Sequence, residues 1–132
     1  MNLADYGEFV GRVTAAPSVD FTEMANRLSE LDKARVPVPL LLTAAFGLSA
    51  ESGEFTEIIK KMVFQGKTYS DETEFHLMRE LGDVLFYWML ACRALSVDPI
   101  SVIEENVRKL SQRYPEGVFS VEKSENRAEG DV

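Results

Sequence analysis

The sequence predicts an all-α protein, a helical bundle with a four-helix core completed by homo-oligomerisation. Three observations lead there. Apolar residues recur with a helical period in five segments, prolines and glycines fall between those segments, and no stretch shows the period-two alternation of a half-buried strand. With 132 residues the chain is long enough for one hydrophobic core and too short for two. Residues 1–120 are therefore expected to form a single domain, followed by a polar, mobile tail over residues 121–132.

The first segment is short and runs from Leu3 to Val13. The second follows Ser18-Val19-Asp20 and covers about Phe21 to Lys33. Arg35-Val-Pro-Val-Pro39 reads as a stiff, extended connector, because Pro37 and Pro39 resist helix. The third helix is expected from about Leu40 to Phe64, with Gln65–Gly66 as its stop. After a polar loop from Lys67 to Asp71, a long fourth helix covers about Glu72 to Leu95. Asp98–Pro99 is a helix start, an N-cap acceptor followed by a proline whose missing N–H is not needed there. The fifth helix runs on to about Tyr114, where Pro115 and Gly117 end it.

Composition narrows the function. A formal net charge of −8 argues against coating nucleic acid, which needs a basic face. An acidic protein still handles phosphates when a bound metal supplies the positive charge. The single cysteine, Cys92, allows no intramolecular disulfide and no cysteine-rich zinc site, and its apolar neighbours make it a small core residue. One histidine, His76, leaves little room for histidine-based metal or triad chemistry. The N-terminal stretch carries Asp5 and Glu8 and no apolar run, so it does not read as a signal peptide, and no stretch has the length of a membrane span. A cytoplasmic protein without membrane partners is the expectation.

The chemistry centres on Glu51, Glu54, Glu80 and Asp83. Each pair has i, i+3 spacing and shares one helix face, but in a chain with 22 acidic residues spacing alone decides little. Position on the face says more. On the third helix Leu41, Ala45, Leu48, Phe55, Ile59, Met62 and Val63 form an apolar arc. Glu51 falls inside it, Glu54 lies at its border, and Glu57 points to the solvent side. The fourth helix is apolar nearly all round, through Leu77, Leu81, Val84, Leu85, Trp88, Cys92 and Leu95, with Phe86 and Leu90 extending it. Glu80 and Asp83 share a narrow polar strip on it with Tyr87. Ionised carboxylates placed so cost several kcal/mol each without partners. A divalent cation between the two pairs offsets that, and magnesium, with its preference for oxygen ligands, suits them. The competing account pairs these acids with Arg79, Arg93 or Arg108.

On the fifth helix Asn106, Lys109 and Arg113 form one polar stripe, opposite Val102, Ile103, Val107 and Leu110. Cationic side chains beside a metal suit a polyphosphate; read alone, the stripe is equally a solvated face. Di-iron carboxylate bundles also project acids inward, but they use Glu-x-x-His pairs, and His76 has Thr73 three residues before it. A non-catalytic helical interaction module, its acids holding a structural cation, is the remaining alternative.

These residues resemble the MazG-like nucleotide pyrophosphohydrolases, whose pattern is ExxE, a spacer, then ExxD. Here it reads E51-S-G-E54 and E80-L-G-D83, in the contexts GLSAESGEFTEIIKK and ELGDVLFYWMLACRAL. The later E105-N-V-R-K-L-S-Q-R-Y-P-E-G-V-F119 is similar to the family's closing motif. The likeness covers about residues 40 to 120, and the total layout, down to the SENRAEGD tail, resembles short single-domain members carried by bacteriophages. It implies a magnesium ion (with manganese as substitute) held by Glu51, Glu54, Glu80 and Asp83, and a homodimer or homotetramer. It also implies phosphate contacts from Tyr87, Asn106, Lys109 and Arg113, with Lys61 as an addition. The reaction implied is hydrolysis of a nucleoside triphosphate between the α- and β-phosphates, with dCTP and dGTP as first substrates to try, or dUTP or a damaged nucleotide instead. Glu54, or Glu51 nearly as well, would orient or deprotonate the attacking water. Phe21, Met24, Phe46 and Trp88 are the aromatic and apolar residues offered for a base pocket, although Trp88 reads first as core.

Overall fold

A computed structural model describes residues 2–126, which are all-helical. The helices are α1 (Leu3–Val13), α2 (Phe21–Lys33), α3 (Val38–Phe64), α4 (Asp71–Leu95), α5 (Pro99–Arg113) and α6 (Val121–Glu125), with a 3-10 turn at Ala16–Ser18. The described residues divide into two compact units, with the boundary between Leu42 and Thr43.

In the first unit, Asn2 and Asp5 make a reciprocal capping box. The Asp5 N–H donates to the Asn2 side chain at 2.9 Å and the Asn2 N–H donates back to the Asp5 carboxylate at 3.0 Å. The 3-10 turn packs against α2. Asp20 starts α2 by accepting from the Thr22 and Glu23 amides at 2.7 and 3.0 Å. The helix closes where Arg35 takes a left-handed conformation and the Val36 N–H reaches back to the Leu31 carbonyl at 2.9 Å. The connector then turns helical sooner than its prolines suggest. α3 starts at Val38, so Pro39 sits inside its first turn, and the Leu41 N–H already bonds the Pro37 carbonyl at 3.0 Å. Pro39 fits because a first-turn residue has no use for its N–H.

In the second unit α3 stops at Gly66, whose φ of +69° lets the Lys67 N–H bond the Lys61 carbonyl at 3.1 Å. Thr73, 3% exposed, ties the following loop to α4. Its hydroxyl donates to the Thr68 carbonyl at 3.0 Å, and Ser70 accepts from its N–H. α4 ends at Ser96, also left-handed, and Asp98 caps α5 through the Ser101 N–H at 3.1 Å. α4 and α5 pack against each other and meet at a bend of 101°. Beyond α5, the rings of Tyr114 and Phe119 lie 5.8 Å apart, and Lys123 pairs with Glu116 at 3.1 Å. The start of the expected tail is helical, since Ser120 caps α6 through the Lys123 N–H; the rest of that tail lies outside the described residues.

The interior is small. Among the described residues, Ala44, Cys92 and Ala94 are the buried apolar side chains, so the core assignment of Cys92 holds. On α4, Val84, Trp88 and Leu77 are half-buried, whereas Leu81, Leu85 and Phe86 are 55%, 57% and 60% exposed. The face read as buried all round is thus largely open within one chain. Among the described residues, no single helix is long and apolar enough to cross a membrane.

Candidate metal centre

α3 and α4 bring the acids together. Ala44 and Gly47 are the buried positions of α3, and Glu51 follows one turn later on the same face, half-buried. On α4, Glu80 is half-buried as well, and Glu54 is exposed. One carboxylate oxygen from each of Glu51, Glu54 and Glu80 lies within 4.8 Å of the others. Oxygens around one magnesium ion at about 2.1 Å stand roughly 3 to 4 Å apart. Small side-chain adjustments therefore let these three share an ion, and the all-oxygen donor set fits a hard cation. Asp83 stands outside this triad and is exposed, yet close enough for its charge to be felt.

Electrostatics mark the same place. Desolvation, then the negative charges of Glu54, Asp83 and Glu80, push the Glu51 pKa above its ordinary value. The charges that raise it are those of other acids. Arg108, one of the arginines considered, is turned to Glu105 on its own helix, with Nε 2.7 Å from Oε2. Glu57 behaves as the surface acid it was read to be. Lys61 and Lys60 approach it at 3.2 and 3.8 Å, and the Lys61 hydrogen bond and charge draw its pKa down.

The other expected residues are placed as follows. Tyr87 is half-buried one turn beyond Asp83 on α4. Its ring is seated against the backbone of Gly47, which makes a contact between α3 and α4 near the acids. On α5 Lys109 and Arg113 are half-buried and Asn106 is exposed. Lys61 faces Glu57. Of the residues offered for a base pocket, Phe21, Phe46 and Met24 are 87%, 70% and 41% exposed, and Trp88 is half-buried. Gly47 was missed. Its signal was a glycine inside an otherwise strong apolar helix, a residue that usually marks a close approach.

A family model, the MazG nucleotide pyrophosphohydrolase domain, matches residues 41–118, more than half of the chain. The chain belongs to the MazG family. The match runs from the first turn of α3 to Val118, beyond the end of α5, so all four acids and the α5 stripe lie inside the MazG domain. No curated protein and no solved structure matches the chain. MazG-type hydrolases generally use divalent cations, and among the described residues the carboxylate cluster is a place where one fits.

Proposed function

We propose that this chain hydrolyses nucleoside triphosphates at the α–β phosphate bond, giving a nucleoside monophosphate and pyrophosphate. The observation that carries the reading is the convergence of Glu51, Glu54 and Glu80 from two helices, within a MazG nucleotide pyrophosphohydrolase domain. Glu51, Glu54 and Glu80 would hold magnesium, with Asp83 beside them as the fourth acid. When bound, the ion neutralises phosphate charge and lowers the pKa of coordinated water. Glu54 is the exposed member of the triad and the one best able to orient a water from solvent. Lys109 and Arg113, half-buried on α5, would bind the phosphates and stabilise charge on departing pyrophosphate, with Asn106 and Tyr87 hydrogen-bonding phosphate oxygens. No covalent nucleophile is required.

The substrates to test first are dCTP and dGTP, then dUTP. A second copy of the chain is the proposed partner. Leu81, Leu85, Phe86 and Met89 on α4 are more than two-fifths exposed, an apolar surface that homo-oligomerisation would cover.

Product analysis over a panel of dNTPs and NTPs, with and without Mg²⁺, tests the activity. Monophosphate and pyrophosphate released only with metal support the reading. Full metal-induced stabilisation with no turnover of any nucleotide would leave a structural-cation module instead.

A further inference from the structure

Among the described residues, Gly47 is the glycine whose surroundings have no room for a methyl group. Gly7, Gly11, Gly53, Gly66, Gly82 and Gly117 all face open space at the Cβ position. A Cβ on Gly47 would overlap Cγ, Cδ1 and Cε1 of Tyr87. Cγ is the root of the ring and stays in place when the ring turns about its own bond to Cβ. Spinning the ring therefore cannot clear the overlap; either the whole tyrosine side chain swings away or α3 and α4 move apart. Gly47 lies one helical turn before Glu51, and Tyr87 lies one turn after Asp83. The contact thus braces the two helices directly beside the acids.

We infer that Gly47 is a positioning residue for the cation site, its bare Cα seating the Tyr87 ring so that Glu51 and Glu54 meet Glu80. The inference rests on the reading of these acids as cation ligands. It also sets two effects of a Gly47→Ala substitution in opposition. Alanine favours helix over glycine, so a purely local effect on α3 would be stabilising. The steric effect on α4 would spread the carboxylates and weaken cation binding.

Calorimetric titration of Mn²⁺ into the nucleotide-free protein tests this, with four chains compared: unmodified, Gly47→Ala, Tyr87→Leu and the double variant. Gly47→Ala is expected to weaken Mn²⁺ binding about tenfold, the scale on which residues supporting metal ligands act. In the Tyr87→Leu background, where the ring is gone, the same substitution should change affinity by less than about twofold. Unchanged affinity in Gly47→Ala overturns the inference, as does an equal loss in both backgrounds. If Gly47→Ala does not fold by circular dichroism, Tyr87→Leu alone decides, because unaltered Mn²⁺ affinity without the ring is incompatible with a bracing role. Failure of the unmodified chain to bind Mn²⁺ removes the cation site and this inference with it. Firm binding that is indifferent to Gly47→Ala removes this inference alone.

Discussion

Glu51 and Glu57 stand on the same helix, less than two turns apart, and the protein moves their pKa values in opposite directions. Glu57 is an exposed acid with Lys60 and Lys61 beside it, and its charged form is favoured. Glu51 is half-buried among Glu54, Glu80 and Asp83, and its charged form is disfavoured. The residue type and the helix are shared; the face differs. An acid is assigned a role by the neighbours its helix face meets. Those at Glu57 satisfy it, whereas those at Glu51 leave negative charge that a cation can take up.

Removing one of the converging acids should produce the largest effect. Glu80→Gln keeps the shape and loses the charge, and pyrophosphate release is expected to fall about 100-fold or more at fixed Mg²⁺. Activity near that of the unmodified chain would end the equivalence of this cluster with a catalytic metal centre. Glu57→Gln, measured in the same assay, should change turnover by less than about twofold.

A capping acid provides a third kind of carboxylate against which to set these two. Asp98 satisfies the Ser101 N–H at the start of α5. Asp98→Ala is expected to lower stability by about 1 kcal/mol in urea unfolding, with or without Mg²⁺. A loss confined to Mg²⁺-containing samples would tie the start of α5 to the cation site instead.

The contrast sharpens further in the sign of a thermal shift. Without divalent cation, Glu51→Gln should raise the melting temperature, because it removes repulsion, and Glu57→Gln should lower it slightly by removing an ion pair. With Mg²⁺ added, Glu51→Gln should show less stabilisation than the unmodified chain. A cation-free Glu51→Gln that melts lower than the unmodified chain contradicts the electrostatic account of the cluster.

The smallest effect concerns pH. A raised folded-state pKa means that the Glu51 contribution to stability is present below the ordinary value of 4.5 and is lost as pH rises through the folded value. Glu57, with its pKa lowered, contributes above 4.5 and loses that contribution as pH falls through its folded value. Both are solvent-accessible, so the two slopes should be shallow. In cation-free buffer, Glu51→Gln should reduce the decline in melting temperature just above pH 4.5, and Glu57→Gln should reduce the decline below it. Profiles unaffected by either substitution would show that solvent screens both acids equally.

Much of this was legible in the chain because the governing interactions are local. Asp20, Asp98 and Gly66 mark helix ends through bonds that span a few residues, and the structure uses them there. The acid pairs were legible because i, i+3 spacing fixes a shared face whatever the helix packs against. The start of α3 was misjudged by two residues, since Pro39 reads as a breaker unless it falls in a first turn, and that depends on where Pro37 places the first carbonyl. The helix at Val121–Glu125 was overlooked because a short capped segment has no apolar period to announce it.

By itself, then, the sequence determined an all-α chain, its main helix limits and two acid pairs on two helices, through short-range bonding and periodicity. Only the tertiary structure decided which acids meet. Glu51, Glu54 and Glu80 converge, Asp83 adds its charge beside them, and Lys61 turns to Glu57. The reason is that spacing along a helix sets direction, whereas distance between helices is set by packing such as that of Tyr87 on Gly47, residues forty positions apart in the chain.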